Sequence, residues 1–159
     1  MASENVSPIA SLFMARTCGS ANLRRAARVV TGHYDRALKP TGVTATQLPL
    51  LSAIHAGNNT SISTLAASLY LERTTISREL AVLKRRKLVK TSVGDDRRAT
   101  TLELTPEGKK ALADAFRAWK RAHKAIVKAY GDEKFETLLA SMRELGTAVK
   151  ALSSRRKQA

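Results

Sequence analysis

The chain has 159 residues, 43% of them hydrophobic, enough for one folded domain with helical extensions and too many for global disorder. Its 28 Lys and Arg against 13 Asp and Glu give a formal charge of +15, a field that attracts polyanions and makes nucleic acid the leading partner class. No run reaches the roughly 18 apolar residues that span a bilayer, the N-terminus lacks the pattern of a secretion signal, and the single Cys18 excludes an intrachain disulfide or a cysteine-based zinc site.

A soluble cytoplasmic protein without metal or cofactor is therefore expected. Residues 1–10 and 153–159 read as flexible tails. From about Ser11 to Lys39, Leu12, Leu23, Ala26, Ala27, Val30, Tyr34 and Leu38 recur at three- and four-residue intervals, which lays one apolar stripe on a single long helix. Lys39-Pro40-Thr41-Gly42 ends it, because the residue before proline avoids helical angles and Gly42 tolerates a left-handed turn. A second helix starts within Thr44–Gln47. Either Thr44 caps it with Gln47 reaching back, or Thr46 is the cap and Pro49 falls in the tolerant first turn. Leu48, Leu51 and Ile54 carry its apolar face to the Gly57-Asn58-Asn59 loop.

Ser61 caps a third helix running to about Leu69, with Ile62, Leu65, Ala66 and Leu69 at helical spacing. After a turn over Tyr70–Arg73, a fourth helix extends from Thr74 to about Lys87 and directs Ile76, Leu80 and Leu83 inward. Two helices joined by a short turn, the second polar and basic at its start, make a candidate helix-turn-helix. The period then changes to alternation over Leu88–Val93 and Ala99–Leu104, around Gly94-Asp95-Asp96-Arg97-Arg98, which reads as a β-hairpin with a charged tip. Thr105 and Pro106 restart a helix as cap and first residue, and it continues without Gly or Pro from Lys109 to Tyr130. Gly131-Asp132 leads into a sixth helix with Phe135, Leu138, Leu139, Met142, Leu145 and Val149 on its apolar stripe. The expected fold is mainly α with a small β-hairpin wing. Residues 44–108 form the DNA-binding domain, and 11–43 with 109–152 form a helical dimerisation layer.

This order of elements resembles the multiple-antibiotic-resistance regulator (MarR) family over roughly residues 12–150. The stretch D-R-R-A-T-T-L-E-L-T-P-E-G from Asp96 to Gly108 is similar to the family's wing pattern, D-x-R followed at fixed spacing by L-T-x-x-G. T-S-I-S-T-L-A-A-S-L from Thr60 and R-T-T-I-S-R-E-L from Arg73 are similar to its third and recognition helices, and N-L-R-R-A-A-R from Asn22 resembles the first helix of one subgroup. Tyr70 and Lys87 stand where the family usually has glycine, which leaves open the geometry of the turn and of the entry to the wing. The resemblance implies a winged helix-turn-helix regulator of transcription, a repressor acting as a homodimer on a palindromic operator in double-stranded DNA.

Residues at the start of a helix lying in the major groove reach base edges, so Arg73, Thr74, Thr75, Ser77 and Arg78 are the candidate contacts. Arg78 would donate bidentately to guanine, the hydroxyls of Thr75 and Ser77 would meet phosphates or bases, and Thr74 would either contact DNA or cap the helix. Of the cations Lys84 to Lys87, which point in several directions, one or two are expected on phosphates, with Lys84 the first choice. Arg97 and Arg98 would enter the flanking minor groove. The resemblance favours Arg98, braced by Asp96 unless Asp96 is an ordinary turn residue.

The family's regulators often respond to a small aromatic or carboxylated effector, for which His33, Tyr34 and His55 are candidate contacts beside a plain packing role. Cys18 offers an alternative, a redox-sensing regulator, since subgroups of the family use a cysteine in this region. Three His, one Cys and scattered carboxylates form no metal, triad or phosphate-loop spacing, so no enzyme activity is expected. A nonspecific architectural DNA-binding protein is the remaining rival.

Overall fold

The computed structural model describes residues 6–57, 60–93 and 100–155. In chain order these form α1 (Pro8–Thr17), α2 (Gly19–Leu38), a 3-10 turn (Lys39–Thr41), α3 (Gln47–Ala56), α4 (Ile62–Leu69), α5 (Arg73–Arg85), β1 (Val89–Val93), β2 (Thr100–Leu104), α6 (Pro106–Tyr130) and α7 (Asp132–Arg155). Helix α1 thus begins, and α7 ends, inside the stretches read from sequence as tails.

The single first helix expected over Ser11–Lys39 is two helices. Ser7 caps α1 by accepting the Ala10 N–H at 3.2 Å, and Cys18 leaves helical space with a ψ of 107°. The Asn22 side-chain amide donates to the Arg16 carbonyl at 2.9 Å, an acceptor that the break in the ladder leaves free, and to the Cys18 carbonyl at 3.0 Å, which also accepts the Asn22 N–H at 3.1 Å. Leu12 therefore does not continue the stripe that ends at Leu38: it is 65% exposed, whereas Leu38 is fully buried.

The connection from α2 to α3 is tightly bonded. Thr41 Oγ1 donates to the Leu38 carbonyl at 2.7 Å and accepts the Val43 N–H at 3.2 Å, while Asp35 Oδ1 accepts the Ala45 N–H at 2.7 Å. Gly42 sits between them at a φ of 69°, in the left-handed region. The Gln47 N–H donates to Thr44 Oγ1 at 3.2 Å and the Thr44 N–H donates to Gln47 Oε1 at 3.3 Å, a reciprocal capping box. The regular helix nevertheless starts at Gln47, which puts Pro49 in the first turn, where a missing N–H costs nothing.

Leu50, Leu51 and Ile54 of α3, Leu65 of α4, Ile76 and Leu83 of α5 and Leu102 of β2 join Leu38 as fully buried side chains of one core. The strands pair antiparallel with Val89 opposite Leu104 and Thr91 opposite Leu102; Val89, Leu102 and Leu104 enter that core while Thr91 stays exposed. On the other face Lys90 Nζ meets Glu103 Oε2 at 3.0 Å, and this hydrogen bond holds the Glu103 carboxyl below its ordinary pKa. The Leu102 N–H also donates to the Thr60 carbonyl at 3.0 Å, which ties the hairpin's base to the start of α4.

The chain divides into two compact units, one ending at Trp119 and the other beginning at Lys120. The second holds the rest of α6 and α7, with the His123 ring edge-on to Phe135 at 5.3 Å between centroids. Along α7, Leu139, Met142, Leu145, Val149 and Leu152 remain exposed, from 39% to 65%.

Candidate nucleic-acid interface

Helix α4 starts where Ser61 Oγ accepts the Thr64 N–H at 3.1 Å. It ends at Tyr70, whose φ of 54° and ψ of 38° turn the chain left-handed while the Leu71 N–H closes back on the Ala66 carbonyl at 3.1 Å. Helix α5 ends the same way. Lys87 has a φ of 56°, and its N–H and that of Leu88 bond to the carbonyls of Lys84 and Leu83 at 2.9 and 3.0 Å. Both positions where the sequence lacks the family's glycine thus keep the left-handed conformation. The strain of a Cβ there, about 1–2 kcal/mol at each site, is offset by the closing hydrogen bonds and, at Lys87 alone, by the burial of Leu88.

Between these two turns α5 buries Ile76, Leu80 and Leu83, and exposes Arg73, Thr74, Thr75, Ser77, Arg78 and Lys84. The recognition-helix candidates from the sequence therefore share the solvent side of one helix. Two details differ from expectation. The helix begins one residue earlier, with Glu72 as its N-cap, so Thr74 does not cap it, and the Glu72 side chain makes no cap hydrogen bond. Ser77 Oγ donates to the Arg73 carbonyl at 2.8 Å, so its hydroxyl proton is already committed and the oxygen is left as an acceptor.

Of the four cations from Lys84 to Lys87, Arg86 is directed away from that role: its Nη1 donates to the Gly42 carbonyl at 2.7 Å. The sequence carried no signal for this contact, which joins residues 44 positions apart.

The hairpin's root explains the L-T-P-E-G stretch. Thr105 Oγ1 donates to the Lys87 carbonyl at 2.7 Å and accepts the Gly108 N–H at 2.9 Å, while the Thr105 N–H donates to the Leu88 carbonyl at 3.1 Å. One threonine thus caps α6 and clasps the end of the recognition helix. Gly108 packs so closely that a Cβ would lie 1.9 Å from the Leu88 carbonyl oxygen. Asp96, Arg97 and Arg98 at the hairpin tip lie outside the described residues.

His55 is exposed and lines a cleft of about 290 Å³ with Ser52, Lys109, Leu112, Ala113 and Phe116, while His33 and Tyr34 are not among its lining residues. Tyr34 packs against the core, and burial raises the pKa of its phenol. The His33 ring meets Tyr34 edge-on at 6.1 Å, and its buried Nε2 has no hydrogen-bond partner among the described residues. Sequence reasoning missed Lys109 and Phe116. An aromatic in a charged helix was the available signal, and Phe116 is half-exposed and stacked on Trp119 at 5.6 Å. Cys18 is half-buried at the junction of α1 and α2. Among the described residues, no three His, Cys, Asp or Glu are grouped to hold a metal, and no helix is long and apolar enough to cross a membrane.

The MarR family profile matches residues 41–99, from the end of the 3-10 turn to the residue before β2. The chain is similar to the transcriptional regulator MosR of Mycobacterium tuberculosis crystallised in complex with DNA. That match has 36% identity over 84% of this chain and 97% of MosR, with a TM-score of 0.76. A second crystal structure of MosR matches at 34% identity over 86% and 98% of the two chains, with a TM-score of 0.74. The uncharacterized HTH-type transcriptional regulator YhbI of Bacillus subtilis is 34% identical over 79 residues, 49% of this chain and 51% of YhbI, so the chain spans about half the length of that curated relative. With the winged helix-turn-helix built as described and a relative of this identity matched along nearly its whole length, the chain belongs to the MarR family of DNA-binding transcription regulators.

Proposed function

We propose that the protein is a transcriptional repressor that binds a palindromic operator as a homodimer and is released by a small aromatic or carboxylated effector. The exposed face of α5 carries the reading: Arg73, Arg78 and Lys84 stand with Thr74 and Thr75 opposite a fully apolar buried face, on a helix clamped at both ends by left-handed turns. Arg78 reads guanine in the major groove, the α5 N-terminus and Lys84 hold phosphates, and Arg97 and Arg98, with Asp96 as brace, enter the minor groove. That the similar MosR was crystallised in complex with DNA supports a DNA-binding role.

Residues 44–108 act as the DNA-binding domain, and 11–43 with 109–152 as the dimerisation layer. In support, Leu138, Met142, Leu145, Val149 and Leu152 alternate four- and three-residue steps along α7, the spacing of a helix-pairing seam, and the last four are exposed. Two copies of so small a module double the contact with DNA and read two half-sites. For the effector, the cleft at His55 fits best, because Lys109 would pair with a carboxylate and Phe116 would stack on an aromatic ring. His33 and Tyr34 act there only indirectly, through packing. No observation favours redox sensing by the lone Cys18.

Selection of bound duplexes from a random pool tests this reading. An inverted repeat with half-sites about one helical turn apart is the expected outcome. A pool that emerges without enriched sequence would reduce the protein to a nonspecific DNA binder.

A further inference from the structure

Helix α5 must be held at a defined angle to read bases, and apolar packing alone resists rotation and sliding weakly. Two polar ties supply what packing lacks. Buried Gln47 uses both ends of its amide: Oε1 accepts the Thr44 N–H of its own capping box, and Nε2 donates to Glu79 Oε2 at 3.3 Å. Two helical turns further along the same face of α5, Arg86 Nη1 donates to the Gly42 carbonyl at 2.7 Å. Glycine leaves room for that contact. A Cβ on Gly42 would lie 2.9 Å from Arg86 Nη2, on a backbone that is also left-handed.

Both ties end on one short segment, Gly42–Gln47, which Asp35 Oδ1 fastens to the last turn of α2 through the Ala45 N–H at 2.7 Å. Beside the Thr105 clasp and the buried apolar face, two ties separated by two turns fix the direction of α5 relative to this segment. We propose that Arg86 and Glu79 are positioning residues for sequence recognition, locking the recognition helix to the end of α2 without touching DNA themselves. This rests on the DNA-binding reading above. If α2 belongs to the dimerisation layer, the same lock sets the separation and tilt of the two recognition helices, so it acts on half-site spacing as well as affinity.

The test uses the full-length protein, its selected operator, a random duplex and a series of duplexes in which the half-site spacing varies by single base pairs. Arg86→Met should lose about tenfold of the preference for operator over random DNA, the worth of one misaligned base contact, and should accept a wider range of spacings. Arg86→Lys keeps a donor for the Gly42 carbonyl and should retain most of both properties. Arg85→Met, one residue away on the exposed side, should weaken operator and random duplex by the same factor and keep the narrow spacing. Glu79→Gln retains an acceptor for Gln47 and should preserve selectivity, whereas Glu79→Leu should lose it. Thermal melting followed by circular dichroism reports folding, and the Lys and Gln variants keep the comparison meaningful if Met or Leu unfolds the chain. Should Arg86→Met behave like Arg85→Met, Arg86 is a phosphate cation and the proposal is overturned. A wild type without operator preference defeats the DNA reading itself, and this proposal with it.

Discussion

Lys87 holds a left-handed backbone with a full side chain, and replacing it isolates the energetics of the turn that joins the recognition helix to the hairpin. For an L-residue the left-handed conformation costs about 1–2 kcal/mol through the clash of Cβ with the carbonyl. Glycine removes that clash but loses more backbone freedom on folding, about 0.5–1 kcal/mol relative to alanine. Lys87→Gly is therefore expected to be more stable than Lys87→Ala by about 0.5–1 kcal/mol, a rise in melting temperature of about 1–4 °C for a chain of this size. Comparing the two variants with each other cancels the loss of the ammonium beside the C-terminus of α5, which both share. Guanidinium denaturation at one fixed protein concentration supplies the measurement, because self-association would otherwise shift the midpoint. Ala125→Gly on the exposed side of α6 provides the opposite sign, a loss of about 1 kcal/mol for glycine inside a regular helix. If Lys87→Gly proves no more stable than Lys87→Ala, the turn is not strained and the explanation of the missing glycine fails.

Gly108→Ala should destabilise by about 1–3 kcal/mol in the same denaturation assay, because its Cβ has to displace the Leu88 carbonyl oxygen 1.9 Å away. Leu83→Ala, which empties a fully buried site beneath the recognition helix, should cost about 2–5 kcal/mol. Arg78→Ala should lower operator affinity by about 1–3 kcal/mol and leave random duplex much less affected, whereas Lys84→Ala should weaken both alike and reduce the slope of log affinity against log salt by about one. Binding titrations over a range of salt concentrations separate these outcomes. In a difference titration between wild type and Tyr34→Phe followed by ultraviolet absorbance, the Tyr34 phenol should ionise above the ordinary tyrosine range, since burial penalises the phenolate. Its neutral form stabilises the fold below the unfolded value, and that contribution is lost as pH rises through the folded one.

Where local chemistry decides, residue patterns led directly to the structure. Ser61 and Thr105 cap the helices they precede, the β-branched alternation after Leu88 is a hairpin, and Ile76, Leu80 and Leu83 form the buried face of α5. Apolar periodicity misled at Cys18. Leu12 happens to fall in phase with Leu23 and Leu38, and the break depends on Asn22 bonding back across six residues, which no hydrophobic pattern records. Among the site residues, charge and helical spacing placed Arg73, Arg78 and Lys84 on one exposed face. The same criteria grouped Arg86 with its neighbours, because its tie to Gly42 is a tertiary contact between segments far apart in the chain. Tyr70 and Lys87 were ambiguous for a related reason: propensity counts the strain of a left-handed residue but not the closing hydrogen bonds that offset it.

The proposed function requires sequence-selective, salt-sensitive binding by a two-chain assembly. Fluorescence anisotropy of the selected duplex and of a scrambled one, titrated at several salt concentrations with stoichiometry fixed by sedimentation, measures all of it in one experiment. Two chains per inverted repeat, a steep negative salt slope, and a preference of about a thousandfold or more at physiological salt are the results expected. Equal affinities for the two duplexes under that condition, with one chain bound at a time, would contradict it.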